Sequence, residues 1–257
     1  QRLKMDYVDI FYAHAYDNVE EVKDQRIIDE LLKIKKEGKA RFIGFTSHAH
    51  KPDQILAAIE AGVYDVILVS YNFKLGNLKE TQEAIEKAAK AGIGIVAMKT
   101  MTGAKEDAEG NKKLDAQACL KWAWENEYIT TAIPGFTNYD ELDECLVAAQ
   151  DPSLTESQKE YLASLLDKEM LFCQRCEVCK GQCPENLPIP DLMRAYMYAY
   201  GYKHSQLSKE TLLELELAEH VCSNCETCQV TCPSGFNVSQ KIAAVMPIRN
   251  VPTEFLS

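Results

Sequence analysis

The sequence predicts a parallel α/β layer followed by a small, strand-poor domain organised by cysteine. Two observations carry this expectation. Short apolar runs alternate five times with amphipathic stretches between Asp6 and about Gln150. Eight of the 10 cysteines then fall in two tight runs in the last third of the chain.

The apolar runs are Tyr7 to Ala13, Arg41 to Thr46, Asp65 to Tyr71, Ile93 to Met98 and Tyr128 to Ile133. They are rich in Val, Ile, Phe and Tyr. Near-continuous apolar character suits strands buried on both faces. The stretches between them read as helices. One runs from about Asp24 to Glu37 and stops at Gly38. The next starts at Pro52, a residue favoured at the first helical position, and ends at Gly62. Three more cover Leu78 to Ala91, Asp115 to Asn126 and Tyr139 to Ala149. Each strand is followed by a helix, which is the pattern of a parallel sheet. Gly92, Gly94 and Ala97 match a dinucleotide-binding pattern, but that pattern must follow a strand and open a helix. Here it follows a helix and opens a strand.

Five units make an awkward number. A closed barrel needs eight, and an open sheet needs helices on both faces with a reversal of strand order. The chain starts almost directly on a strand, with Gln rather than Met. We read it as a partial (β/α)8 TIM barrel, about five of eight units, with three units upstream. A targeting signal could lie in the same upstream segment. Such an arc exposes two strand edges and one side of its interior. If five units are the whole, a second chain must cover the edges.

Composition is that of a globular chain, 46% hydrophobic and 26% charged over 257 residues. The net charge of −11 is spread along the sequence. It argues against nucleic acid as a partner and against anionic membrane surfaces. No apolar run approaches the roughly 20 residues that span a bilayer.

After Asp151 the character shifts. Ser153 to Lys168 reads as one more helix, and we place the domain boundary near residue 168, giving domains 1–168 and 169–257. The helices Asp191 to Tyr202 and Ser208 to His220 follow the Pro-rich turn from Pro184 to Pro190.

The cysteine runs are Cys173, Cys176, Cys179, Cys183 before Pro184, and Cys222, Cys225, Cys228, Cys232 before Pro233. Both read C-x2-C-x2-C-x3-C-P, the spacing of bacterial ferredoxins that hold 4Fe–4S clusters. Three thiolates so spaced can wrap three irons of one cube, while the fourth, in two-cluster ferredoxins, ligates the other cluster. The expected assignment is therefore crossed. Cys173, Cys176, Cys179 and Cys232 hold one cluster, and Cys222, Cys225, Cys228 and Cys183 hold the other. With both, the folded charge moves to about −15, since each cluster with its thiolates adds about −2. About 38 residues separate Cys183 from Cys222, and this insert looks helical, so the module is an α-helical ferredoxin-like domain. Zinc is the alternative, but it takes paired knuckles held apart. Disulfides belong to small secreted domains. Cys119 and Cys145 stand on expected helices as buried thiols.

The strand segments carry a further signature. "LKMDYVDIFYAH" resembles the fourth barrel strand of aldo-keto reductases, and "GKARFIGFTSH" the strand that follows. "GIGIVAMK" resembles strand seven, and "TAIPGFTNYDELDECL" strand eight with its loop. The match covers roughly residues 1 to 150. Aldo-keto reductase-like proteins with a C-terminal ferredoxin-like extension are a known architecture, and this chain looks like one.

The resemblance implies an active site at the C-terminal ends of the strands, with an Asp, Tyr, Lys, His tetrad. Only His14 carries over, where it would orient and polarise a carbonyl; a core histidine is the other reading. The Asp, Tyr and Lys, including the proton-donating Tyr, belong to earlier strands. Thr46 and Ser47 stand where the family has a Ser-Asn pair against the nicotinamide amide. Met98 stands where many members stack an aromatic, and Leu68 replaces a usual Gln. Lys99 faces either the site or solvent. Pro134, Gly135 and Asn138 line the strand-eight loop. Gly135 takes the place of a Lys that grips the 2′-phosphate of NADP, and Glu141 that of an Arg. A carboxylate repels a phosphate, so NAD is favoured if a nicotinamide cofactor, NAD(P)(H), binds.

The leading expectation is an iron–sulfur oxidoreductase that moves hydride between NAD(P)H and a small carbonyl or alcohol substrate, with clusters serving a redox partner protein. Hydride carries two electrons and a cluster takes one. A flavin normally splits them, and no flavin signature is visible. The alternative is an electron-transfer or structural iron–sulfur module on a catalytically inactive barrel. Exposed clusters call for a reducing, low-oxygen compartment, which predicts the cytoplasm.

Overall fold

The structure is a computed structural model that describes residues 4–16, 18–102, 114–136, 138–166, 173–215, 217, 221–222, 225 and 228–256. The chain divides into two compact units. The first comprises Gln1–Met101 with Asp115–Leu162, the second Thr102–Leu114 with Ala163–Ser257. The boundary expected near residue 168, and the helix ends expected at Lys168 and His220, lie outside the described residues.

The first unit holds five strands, β1 (Val8–Tyr16), β2 (Ala40–Ser47), β3 (Val66–Ser70), β4 (Gly94–Met98) and β5 (Thr131–Ile133). All pair in parallel, in the order β1-β2-β3-β4-β5. Sequential order without reversal is that of an arc of a (β/α)8 barrel rather than of a doubly wound sheet. The helices are α1 (Val19–Val22), α2 (Gln25–Lys36), α3 (Lys51–Ala61), α4 (Leu78–Lys90), α5 (Ala116–Trp124), α6 (Tyr139–Gln150) and α7 (Glu156–Leu166).

Side chains alternate across each strand. Ile43, Phe45, Ile67, Val69, Ile95 and Ala97 are fully buried and join the core that includes Ile28, Leu31, Ile55 and Ile85 of the helices. Their neighbours Val66, Leu68, Val96 and Met98 form a second cluster on the other face, with Tyr12 against it. Both faces being apolar, the strands read as unbroken apolar runs. Paired positions share a face, so the inner face is layered. Thr46 sits beside Leu68 and Leu68 beside Val96, while Ser70 sits beside Met98 and Met98 beside Ile133. At its margins this face is open, with Ile10 38%, Phe42 44% and Ile133 50% exposed.

Two residues lock the sheet. Asp65 accepts from the Ile43 N–H, takes an ion pair from Lys35 at 2.7 Å, and its carbonyl accepts from the Gly94 N–H. Gly44 lets β2 approach β3, because a Cβ there would lie 1.9 Å from the Val66 carbonyl oxygen. Gly92 (φ +87) follows α4 and β4 opens at Gly94, so the glycine pattern there starts a strand.

The second unit holds α8 (Ile189–Tyr196), a π-helical turn (Met197–Gly201), α9 (Ser205–Glu214) and α10 (Val238–Val245), then two 3-10 turns. Its core contains Ile189, Leu192, Met193, Leu212, Phe236, Val238, Ile242 and Val245. Cys173, Cys179, Cys183, Cys222 and Cys232 pack at its margin. The unit carries an internal repeat. Each cysteine of the second run stands 49 positions after its counterpart, as Cys222 does after Cys173. The same offset relates α8 to α10, 8 residues each, and their N-caps Pro188 and Asn237.

Gly44→Ala is expected to lower the stability of the chain by about 3 kcal/mol or more, an overpacking cost at a site with no room to shift. Denaturant unfolding checks it; an unchanged midpoint would refute the close approach of β2 and β3.

Candidate functional site

Two groups of residues carry chemistry, one in each unit. In the first, they gather at the C-terminal ends of the strands. The pairing of β1 with β2 slips between Ala13 and Tyr16, and Ala15 takes a positive φ of 54°. Such a bulge re-aims a side chain. Here the backbone N–H of Ala15 donates to Thr46 Oγ1 at 2.6 Å, and the same hydroxyl pairs with His14 Nδ1 at 3.3 Å. His14 remains exposed, with the His48 ring edge-on at 6.2 Å. Thr46 is thus buried as the support of the His14 bulge. Ser47 is wholly buried, and its hydroxyl donates to the Ala49 carbonyl at 3.3 Å.

Met98 lies on the inner face among Leu68, Val66 and Val96. Lys99 follows with a positive φ of 55°, and its carbonyl accepts from Asn72 Nδ2 at 3.1 Å. Asn72 is fully buried, and its Oδ1 accepts from the Lys74 N–H. It ties the mouth of β3 to that of β4. The sequence reading passed over it, although a polar residue just past an apolar run is a visible signal. Beside Met98 on the inner face, the buried hydroxyl of Ser70 finds no hydrogen-bond partner among the described residues. A buried polar atom without a partner costs free energy unless a ligand or water meets it. The Ser70 hydroxyl therefore fits a polar ligand at this mouth.

Pro134 is half-buried, and Gly135 and Asn138 are exposed. Asn138 caps α6, its Oδ1 accepting from the Glu141 N–H at 3.0 Å. Asp140 and Glu141 occupy the first turn of that helix. Carboxylates there complement the helix dipole and oppose any phosphate.

In the second unit, Cys173, Cys176, Cys179 and Cys232 line one cavity, with Glu177, Met193, Phe236 and Val238 among its walls. Three of these cysteines come from the first run and one from the second. Burial pushes the Cys173 thiol up to about 12; the nearby Cys176, Cys179 and Cys232 add to the rise, and the Arg175 N–H on its sulfur opposes it. Cys179 is raised to about 11 by burial and then by Cys176. Cys222 is raised to about 11 by burial, then by Cys225, Cys183 and Cys228. The neighbours that act on Cys173 include Cys232 of the second run, and those that act on Cys222 include Cys183 of the first. Among the described residues, no three His, Cys, Asp or Glu side chains converge on a single-ion position. The four cysteines instead surround a space, and soft sulfur donors so arranged fit an iron–sulfur cluster. Cys119 and Cys145 are buried in the first unit, and burial pushes the Cys119 thiol up to about 12.

Residues 1–112 match the aldo/keto reductase family model, and residues 156–237 match a 4Fe-4S dicluster domain. A probable aldo-keto reductase of Glycine max is 29% identical over 96 residues, 37% of this chain and 26% of that protein. A methylglyoxal reductase of Escherichia coli is 26% identical over 174 residues, 64% of this chain and 62% of that protein. Among solved structures, an aldo-keto reductase of Bacillus halodurans superposes with a TM-score of 0.50 at 17% identity. That match covers 68% of this chain and 64% of the other, and it shows the fold alone. The chain thus spans less than two thirds of these relatives. Among the described residues, no helix is long and apolar enough to cross a membrane.

Thr46→Val removes the acceptor for the Ala15 N–H and is expected to cost about 1–2 kcal/mol, whereas Thr46→Ser keeps the acceptor and most of that stability. Equal losses in thermal unfolding of the two variants would deny the hydroxyl this supporting role.

Proposed function

We propose, from the premise that the chain joins an aldo/keto reductase domain to a 4Fe-4S dicluster domain, that it works as an iron–sulfur oxidoreductase. The observation that carries this reading is one cavity lined by Cys173, Cys176 and Cys179 of the first run with Cys232 of the second. Cys173, Cys176, Cys179 and Cys232 hold one 4Fe–4S cluster, and Cys222, Cys225, Cys228 and Cys183 hold the other. When bound, such clusters accept and release single electrons. Burial keeps the Cys173, Cys179 and Cys222 thiols protonated, so they give up their protons as metal takes their place. Crossing makes each run depend on the other for its fourth sulfur.

In the barrel, the mouth formed by β1 to β5 takes a nicotinamide nucleotide and a small carbonyl or alcohol. The hydroxyl of Thr46 donates to His14 Nδ1 in the tautomer that leaves the Nε2 proton outward, where it can polarise a carbonyl oxygen. Ser70 offers its hydroxyl to the bound ligand beside the thioether of Met98. Lys99, Pro134 and Gly135 border the cofactor, and the carboxylate of Glu141 disfavours a 2′-phosphate. The family's proton donor is not among these residues, so hydride chemistry belongs to a protein that supplies it. A cytoplasmic setting and a redox partner protein belong to the same reading.

A second reading is favoured by two observations. The Thr46 hydroxyl is engaged within the protein, and Ser47 is buried and turned to Ala49. On that reading the barrel is a scaffold, and the domain relays electrons or staples the fold.

Anaerobically prepared protein is expected to carry about eight irons and eight sulfides per chain and to give reduced-cluster EPR signals with dithionite. Zinc in their place, or iron that no reductant reaches, would overturn the redox reading. Crossing is tested by paired variants. C173A with C232A strikes one cluster and should leave about four irons, while C173A with C183A strikes both and should leave almost none. The reverse pattern would mean uncrossed ligation. Nucleotide titration is expected to show NAD bound more tightly than NADP, and the opposite order removes the role given to Glu141.

A further inference from the structure

The repeat in the second unit allows each residue near one cysteine set to be compared with its counterpart near the other. Glu177 is matched by Glu226, 49 positions on. A carboxylate therefore recurs at the same sequence position in both runs. Lys241 has no such match. Its counterpart, at the same place in α8, is Leu192, a wholly buried apolar residue. Arg175 and Lys180 are likewise matched by the uncharged Asn224 and Gln229. Lys180 is largely exposed and pairs with Glu177 at 3.6 Å, so water and that carboxylate screen it.

Lys241 is held differently. Its ammonium lies 4.8 Å from the ring centroid of Tyr196 and 5.1 Å from that of Phe236. Both distances are within the range of a cation–π contact. Tyr196 itself packs against Tyr200 in a tilted pair, at 4.6 Å between centroids, and the Tyr200 hydroxyl donates to the Ala244 carbonyl. These contacts fix the position of the charge. Phe236, on which it rests, is a wall of the cavity lined by Cys173, Cys176, Cys179 and Cys232.

On the reading that this cavity holds a cluster, we propose that Lys241 raises the reduction potential of that cluster and leaves the other unaffected. Reduction adds one negative charge to the cluster and its thiolates. A fixed cation beyond one aromatic wall stabilises the reduced form, and net charge around a cluster is one of the levers on its potential. The interaction weakens with distance and with intervening water. The apolar Leu192 supplies no such term at the second set. The two clusters of this repeat are thus made chemically unequal, which gives electrons a preferred resting place between two otherwise similar centres.

Anaerobic redox titration of the full chain, followed by EPR, tests this. K241Q and K241M keep an unbranched side chain and remove the charge, K241R keeps the charge, and K203Q removes an exposed cation elsewhere in the unit as a control. One of the two midpoint potentials is expected to become more negative in K241Q and K241M, while the other stays. K241R should sit close to the parent, and K203Q should move neither. Both potentials shifting together, or neither shifting, would overturn the inference with the cluster reading intact. A parent chain without two reducible clusters fails the cluster reading itself, a result visible before any variant is compared.

Discussion

Sulfur placed beside sulfur is the constraint on which the second unit turns. Four thiols around one small, partly apolar cavity cannot all ionise unaided, because each thiolate raises the cost of the next. Burial adds to that cost, as the raised Cys173, Cys179 and Cys222 thiols display. The arrangement is stable as a set of ligands only when positive charge sits among them. The surrounding helices are short, and their core is continuous with the cysteines. Metal binding and folding are therefore expected to be linked in this unit, as they are in small metal-held domains.

The first unit rests on a different principle. Its strands are buried on both faces, with Ile67 and Val69 turned to the helices and Val66 and Leu68 turned inward. Helices cover the outer face of β2, β3 and β4, while Phe11 of β1 stays 40% exposed. The inner face is closed only where β2, β3 and β4 lie side by side, and it opens toward Ile10 and Ile133. The chemistry gathers at the strand ends, where bulged and positive-φ backbone at Ala15, His50 and Lys99 turns side chains out of the regular layers. Below it, at the other end of the strands, Asp65 stitches three strands by hydrogen bonds and an ion pair. The stabilising contacts and the candidate site thus occupy opposite ends of the same strands, the division expected of barrel folds.

Much of this was legible in the sequence. Five strands and the eight helices α2 to α9 were readable because two-sided burial leaves apolar runs, amphipathic stretches mark the helices, and Gly or Pro marks many of the ends. The limits were physical. β5 is only Thr131–Ile133, because Asn126 folds Tyr128 and Ile129 into a turn. β1 runs on to Tyr16, because the bulge at His14 and Ala15 allows pairing to resume beyond it. The four-residue α1 was passed over; a capping box at Asn18 and Glu21 holds it. α10 was passed over as well, being short and weakly patterned. The spacing of the cysteines announced their chemistry, but the 49-residue repeat escaped notice. Beyond the cysteines, Glu177, Pro184 and Ala195 are the residues up to α8 that recur identically, in Glu226, Pro233 and Ala244. The engagement of Thr46 with the His14 bulge depends on a fold through β1 and β2 that no local pattern encodes.

That repeat bears on how such a centre can arise. On the crossed assignment, one half would supply three sulfurs to one set and a single sulfur to the other, followed by an eight-residue helix. Two identical copies of such a half would satisfy each other completely and would do so with twofold equivalence. Fusion of the copies into one polypeptide releases them from that equivalence. Each position then becomes two positions, and Leu192 and Lys241 stand at the same place in the two halves with different chemistry.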